Sequence, residues 1–205
     1  TVIFKGSELC PATHGIIVEA FKEAGFPEGV VNFVTNAPAD AGEVVEAMVS
    51  HPMLRCVNFT GSTRVGKLIA QTCAKYLTPV ILELGGKAPF VVLDDANLDE
   101  AVNGAAFGAF ANSGQVCMST ERLIVDNKIA DAFIEKLAAK AKALPLGDPR
   151  KGPVVLGSVA DASIVKRCNE LIVDALAKGA KLICGGQADS TLFPATLLDH
   201  VTSDM

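Results

Sequence analysis

Cys117 is the residue in this sequence whose surroundings most suggest chemistry. It lies in the segment FANSGQVCMST, after a run rich in alanine and glycine and before small polar residues. A cysteine thiolate is a strong nucleophile, but it needs a base and neighbours that favour the charged form. None of the three histidines lies near Cys117 in the sequence. The local sequence therefore leaves two roles open, a packed thiol and a catalytic nucleophile.

Glu83 is a candidate for the base. It lies near the end of the apolar run PVILEL, where a carboxylate has few structural reasons to occur. Partial burial there would raise its pKa towards neutrality, which is what a general base requires. The alternative is a side chain that turns to solvent or pairs with Lys87. Gly85 and Gly86 follow and leave room for a flat ligand against the backbone.

The segment FTGSTRVGKL contains a near match to a phosphate-binding loop. Residues 61–67 fit the pattern G-x-x-x-x-G-K-[ST] until its last position, where Leu68 replaces the hydroxyl that would bind Mg²⁺. This argues against a P-loop nucleotide hydrolase. As a glycine turn before a helix, the same residues could offer backbone N–H groups to a pyrophosphate, or form an ordinary turn. No G-x-G-x-x-G follows a strand, so the residues alone leave the cofactor open.

Helical and strand-like segments alternate along the chain, which predicts an α/β fold with mostly parallel strands. The predicted helices cover residues 11–24, 41–51, 63–76, 98–113, 129–144 and 162–178. The predicted strands cover residues 30–34, 55–60, 79–84, 89–93, 122–126 and 181–185. Asp40 with Glu43, and Asn97 with Glu100, resemble capping boxes at two helix starts. The double glycine suggests a boundary between residues 1–84 and 85–205.

Composition excludes several classes of protein. The net charge is −5 and no basic cluster exceeds two residues, which argues against a nucleic-acid partner. Apolar runs are far shorter than the roughly 20 residues of a membrane span. The six cysteines form no Cys-x-x-Cys pair, and no histidine stands at metal-ligand spacing, so we expect no metal site. We expect a cytoplasmic protein in which most thiols are buried as small apolar groups.

Four segments together identify a family. In order, FTGSTRVG, LELGGKAPFVV, DDANLDEAV and FANSGQVCMSTERLIV closely resemble the aldehyde dehydrogenase superfamily, and the resemblance extends over essentially the whole chain. The 34 positions from Glu83 to Cys117 also resemble its base-to-nucleophile spacing. The resemblance implies that residues 1–84 are the C-terminal part of a Rossmann-like NAD-binding domain, and 85–205 the N-terminal part of an α/β catalytic domain. The chain thus looks like a central fragment, and the near P-loop match a coincidence of glycine spacing.

The resemblance also implies roles for individual residues. Cys117 would be the nucleophile and Glu83 the base. FKGSE resembles the K-x-S-E segment of the family, so Lys5 and Glu8 would contact the adenosine ribose, although a solvated pair beside a strand is the alternative. A carboxylate at Glu8 favours a free 2′-hydroxyl and therefore NAD over NADP. The remaining implied cofactor contacts are Gly61, Ser62, Gly66, Leu84 and Gly85.

The implied reaction is NAD-dependent oxidation of an aldehyde to a carboxylic acid through a thiohemiacetal and a thioester on Cys117. The segments KGSELCPATHGIIVEAF, FVTNAPADA and GQVCMSTER resemble bacterial salicylaldehyde and vanillin dehydrogenases, which implies an aromatic aldehyde. Val116 and Met118 would help to line an apolar pocket. A non-catalytic relative with the same fold and, less favoured, a P-loop nucleotide hydrolase are the alternative functions.

The family resemblance also implies parts that lie outside these residues. An oxyanion-binding asparagine would precede Thr1, and a cofactor-binding glutamate would follow Met205. Family members usually assemble into dimers or tetramers through further segments. We therefore expect the 205-residue segment on its own to be inactive and poorly stable.

Overall fold

The computed structural model describes all 205 residues, which form six α-helices and eight β-strands. The chain divides into two compact units, Thr1–Leu84 and Gly85–Met205. Three of the four strand pairs are parallel, as the alternating pattern predicts. None of the helices combines the length and the apolar character that crossing a membrane requires.

The first unit is built from two strand–helix–strand crossovers. Its elements are β1 (Val2–Lys5), α1 (Pro11–Glu23), β2 (Val31–Val34), α2 (Ala41–Val49), β3 (Val57–Gly61), α3 (Thr63–Lys75) and β4 (Val80–Leu84). β1 pairs with β2, and β3 pairs with β4, both in parallel. Parallel neighbours need a long connection, which α1 and α3 supply. Val49, Ile69 and Cys73 form the buried cluster between α2, α3 and the strands.

The second unit places two helices on a parallel strand pair. Its elements are β5 (Ala88–Val92), α4 (Leu98–Phe110), β6 (Thr120–Val125), α5 (Ala130–Lys142), α6 (Ala162–Ala177), β7 (Lys181–Cys184) and β8 (Leu197–Asp199). β5 and β6 are parallel, whereas β7 and β8 are antiparallel. The core is formed by Val92, Val102, Ala105, Ala106, Phe133 and Leu137. Ala105 is completely buried because the small residues of α4 allow close packing.

The capping predictions have different outcomes at the two helices. Asn97 is confirmed as a cap, since its side chain accepts hydrogen bonds from the backbone N–H groups of Asp99 and Glu100. The capping box at Asp40 is wrong, because Asp40 ends a short 3-10 turn and its side chain caps nothing. The helical backbone of Asp40 (φ −93°, ψ −3°) differs from the extended backbone typical of a capping residue.

The cysteines are less buried than their composition suggests. Only Cys73 and Cys184 are buried, and burial raises the pKa of both thiols. Cys10, Cys56 and Cys117 are exposed, and Cys168 is half-buried, so the expectation that most thiols are buried is wrong. The exposed thiols all lie outside helices and strands, where periodic packing does not constrain a side chain. All six are free thiols.

Candidate active site

Cys117 lies at the tip of a tight turn in the second unit. The turn runs from Val116 to Ser119 and is closed by a hydrogen bond from Ser119 N to Val116 O of 3.0 Å. Cys117 and Met118 are its two central residues, and both are exposed. The backbone N–H of Cys117 makes no hydrogen bond within its unit. The turn therefore presents a thiol and a free N–H donor to the outside.

The segment before this turn has an uncommon backbone. α4 ends at Phe110, and Asn112, Ser113 and Gly114 then adopt positive φ values of 52°, 56° and 71°. This conformation ends the helix earlier than the predicted residue 113. Residues other than glycine in this region cost on the order of 1 kcal/mol each, so the surroundings must hold them there. Such strain is typical of functional segments.

Close packing fixes the segment after the turn. Ser119 is buried, and its hydroxyl has no hydrogen-bond partner. Thr120 begins β6 and lies against Gly108 of α4, where a Cβ atom would be 2.5 Å from the Thr120 hydroxyl oxygen. The glycine thus allows α4 to approach the strand directly beyond Cys117. Gly86 is also near, because a Cβ atom there would be 3.6 Å from Cys117 O.

Glu83 lies in β4, one residue before the end of the first unit. It is exposed and occupies the register position opposite Thr60 of β3. Lys87, the alternative partner suggested by the sequence, forms an ion pair with Glu121 instead. The exposure of Glu83 therefore supports the alternative in which its side chain turns to solvent. The role of Glu83 as a base stays a prediction.

The structure brings four of the predicted cofactor residues together in the first unit. Leu84 pairs in register with Gly61, the last residue of β3. Ser62 follows and caps α3, accepting a hydrogen bond from Val65 N of 3.3 Å. The first N–H groups of a helix have no partner within it, so this end is suited to an anion. Gly61 is needed here because a Cβ atom would be 2.5 Å from the Phe59 ring.

Gly66, the fourth of these residues, has a packing role. It is buried in the first turns of α3, and a Cβ atom there would lie 2.8 Å from Leu84 Cδ2. Its contact with a cofactor stays a prediction, as does that of Gly85, which is exposed with nothing within 4 Å of an added Cβ atom.

The position of α3 argues against a P-loop. α3 begins at Thr63, so only Ser62 separates it from β3. Residues 63–67 of the near match are therefore helical and cannot form the concave loop that surrounds a triphosphate.

Lys5 and Glu8 form an ion pair at the carboxyl end of β1. Lys5 Nζ lies 2.5 Å from Glu8 Oε1, and both side chains are about one-fifth exposed. The hydrogen bond from Lys5 lowers the pKa of Glu8 from 4.5 to about 2, with help from Glu8's own backbone N–H and from Asn36. Glu8 is thus a carboxylate at neutral pH, and the pair is more buried than the solvated alternative implies.

Asn36 also belongs to this group, although the sequence did not indicate it as a site residue. Its Nδ2 donates to Glu8 Oε1 at 3.0 Å, while its Oδ1 is buried and has no partner. Lys5 and Val34 are register partners at the ends of the paired strands β1 and β2. Residues that follow parallel strands meet at one edge of a sheet, and this rule could have identified Asn36.

The whole chain matches one family. The family model described as the aldehyde dehydrogenase family matches residues 1–205, and the chain belongs to that family. It is 54% identical to a vanillin dehydrogenase of Pseudomonas fluorescens, over 100% of this chain and 42% of the relative. It is 52% identical to a salicylaldehyde dehydrogenase of Pseudomonas sp. (strain C18), over 100% of this chain and 43% of the relative.

A solved structure agrees with these relatives. The crystal structure of a salicylaldehyde dehydrogenase from Pseudomonas putida G7, complexed with salicylaldehyde, matches with a TM-score of 0.97 and 50% identity. The match covers 100% of this chain and 43% of the crystallised one. The chain therefore spans less than half the length of these relatives and has their α/β fold. Members of the family use NAD or NADP.

Proposed function

We propose that the protein is an aldehyde dehydrogenase that oxidises an aromatic aldehyde to its carboxylic acid with NAD. The observation that carries this proposal is the exposed turn at Cys117, where a thiol and an unpaired N–H lie together in a chain of this family. A buried thiol could not reach a substrate, whereas this one is accessible.

The first half of the proposed reaction takes place at Cys117. Its thiolate adds to the aldehyde carbon and forms a thiohemiacetal, in which the former carbonyl oxygen carries negative charge. The free N–H of Cys117 can donate to that oxygen, as oxyanion-binding donors do. NAD, when bound, accepts the hydride that leaves this carbon. A thioester then remains on the sulfur.

Glu83 serves as the base in the second half of the reaction. Its carboxylate takes a proton from water, and the resulting hydroxide attacks the thioester carbon. The carboxylic acid is released and the thiolate of Cys117 is restored. In the first unit the carboxylate of Glu83 is exposed, so water can reach it.

The ends of the strands in the first unit fit two parts of a dinucleotide, the pyrophosphate and the adenosine ribose. The start of α3 beside Gly61 is suited to the pyrophosphate, since the first N–H groups of a helix have no partner within it and the Ser62 cap satisfies only that of Val65. The ionised Glu8 accepts hydrogen bonds from ribose hydroxyls and repels a 2′-phosphate, which supports NAD over NADP. Asn36 donates to the same carboxylate at 3.0 Å and so helps to hold it in the ionised form.

The aromatic substrate is supported by the relatives and by the residues at the turn. Met118 is 77% exposed directly after Cys117, and Val116 before it is half-buried. Both side chains offer apolar surface to a ring, in line with the similarity to vanillin and salicylaldehyde dehydrogenases. We further propose that the protein is cytoplasmic and works as a dimer or tetramer.

NADH formation by the full-length protein tests the proposal. Salicylaldehyde, benzaldehyde and a short aliphatic aldehyde are offered with NAD or NADP, to the unaltered protein and to Cys117→Ala. We expect NADH with the aromatic substrates, and a fall of at least about a thousandfold in the variant because the nucleophile is lost. Preference for the aliphatic aldehyde would refute the substrate class. Activity that survives in the variant would refute the role of Cys117, and no activity at all would favour a non-catalytic relative.

Glu83→Gln tests the second step separately. The amide of the variant keeps the shape of the side chain but cannot take a proton. We expect steady-state turnover to fall while the first turnover of NADH persists as a burst, because thioester formation does not need the base. Loss of the burst together with turnover would contradict this role for Glu83.

A further inference from the structure

Gln115 connects the Cys117 turn to a distant segment of the second unit. Its side-chain Oε1 accepts a hydrogen bond of 2.8 Å from the backbone N–H of Ala160, 45 positions further along the chain. Its Nε2 donates to Asn112 O at 3.3 Å. One side chain therefore holds the left-handed segment on one side and Ala160 on the other.

The backbone around Gln115 strengthens this connection. Gln115 N donates to Asn112 O at 3.1 Å, and Asn112 Nδ2 donates back to Gln115 O at 3.3 Å. Ser113 adds a second link, since its hydroxyl lies 3.4 Å from Gly157 O. The strained residues 112–114 are thus held by reciprocal bonds and by two contacts with residues 157–160.

Residues 157–160 form a firm anchor. Val159 is buried and donates from its N–H to Thr191 O at 2.8 Å, and Ser158 forms a bridge with Leu192. Ala160 directly precedes Asp161, which caps α6 through the N–H groups of Ser163 and Ile164. A side chain bonded to Ala160 is therefore attached to a packed part of the unit.

We propose that Gln115 is a positioning residue that fixes the orientation of Cys117 through its hydrogen bonds to Asn112 and Ala160. Gln115 stands two positions before the nucleophile, and the intervening Val116 begins the turn. The opposite side of the turn is already fixed by Thr120 in β6. Gln115 supplies the restraint on the N-terminal side of the turn. This inference rests on the proposed function of Cys117.

The test uses full-length protein and three variants. Gln115→Met keeps the length of the side chain but removes both of its hydrogen bonds, whereas Gln115→Glu keeps an acceptor for Ala160 N–H. Gln71→Met is the matched control, because Gln71 is exposed on α3 and its side chain makes no hydrogen bond.

Three measurements separate positioning from general damage. We expect the kcat of Gln115→Met to fall about tenfold or more. Displacing a reacting group by about 1 Å can lower the reaction rate on the order of a hundredfold. The KM for NAD should stay within about twofold, because cofactor binding does not need the turn. Alkylation of Cys117 by iodoacetamide should stay within about threefold, because a small reagent reaches the thiol from many directions. Gln115→Glu should recover part of kcat.

Amide hydrogen exchange of residues 112–119 gives an outcome that is independent of activity. We expect faster exchange in Gln115→Met and unchanged exchange in Gln71→Met. Unchanged exchange, or a kcat equal to that of the control, would overturn the inference. A parallel fall in kcat, alkylation and NAD affinity would also overturn it, because that pattern means general disruption. If the unaltered protein forms no NADH, the proposed function fails, while hydrogen exchange still decides whether Gln115 holds the turn.

Discussion

Replacing Gly66 with alanine should destabilise the protein even though alanine is the better helix former. Gly66 lies inside α3, and a Cβ atom there would lie 2.8 Å from Leu84 Cδ2 and 3.4 Å from Leu84 Cδ1. Carbon atoms in contact are about 3.5–4.0 Å apart. The Leu84 side chain must therefore move by at least about 0.7 Å, or α3 must move away from β4.

The expected change in the free energy of unfolding is the balance of two opposing effects. Alanine in a helix interior is about 1 kcal/mol more favourable than glycine. Overpacking a well-filled site costs about 1–3 kcal/mol, and the low end applies because the tip of a leucine can adjust. The net change for Gly66→Ala is a loss of stability of about 0–1 kcal/mol.

Gly15→Ala is the matched control in the same unit. Gly15 lies inside α1, a helix of the same 13-residue length, and the nearest atom to an added Cβ is Phe33 Cε1 at 3.8 Å. This is an ordinary contact, so only the propensity term remains. We expect Gly15→Ala to stabilise the protein by about 0.5–1 kcal/mol.

Thermal and urea unfolding of the full-length variants would measure the difference. The expected order of stability is Gly15→Ala, unaltered protein, Gly66→Ala, with the two variants separated by about 0.5–2 kcal/mol. A Gly66→Ala protein as stable as Gly15→Ala would refute the reasoning, because it would mean that α3 and β4 are not in close contact at this point.

Two further predictions concern charge and packing. Lys5→Met removes the hydrogen bond that most lowers the pKa of Glu8, so that pKa should rise from about 2 towards 4.5 in a carboxyl NMR titration. In the unaltered protein, the stability linked to Glu8 is present above pH 4.5 and is lost as the pH falls through about 2. If Lys5→Met leaves the titration of Glu8 unchanged, that result would contradict the ion pair. Leu137→Ala should cost about 2–5 kcal/mol in urea unfolding, because Leu137 is 1% exposed in the core. Exposed Glu135→Ala, on the same helix, should change stability by less than about 0.5 kcal/mol, and equal effects would contradict the described core.

The sequence predicted most helices and strands because their signals are local. The cap at Asn97 depends on N–H groups two and three positions away, and both are near it in any helix. The end of α4 was harder to predict. Asn112 and Ser113 are left-handed in the structure, and no residue type near them requires this conformation. β8 was not predicted, since its three residues carry no periodicity and gain their strand from pairing with β7.

The sequence by itself determined the family, through four ordered segments that the family match confirms over residues 1–205. It also indicated Cys117 and Glu83 as the residues to test. Only the tertiary structure revealed that Asn36 donates to Glu8 across 28 positions and that Ala160 donates to Gln115 across 45. The physical reason is the separation along the sequence between the interacting residues. Periodicity and capping are decided by neighbours along the chain, whereas these hydrogen bonds depend on which distant segments packing brings to the same place.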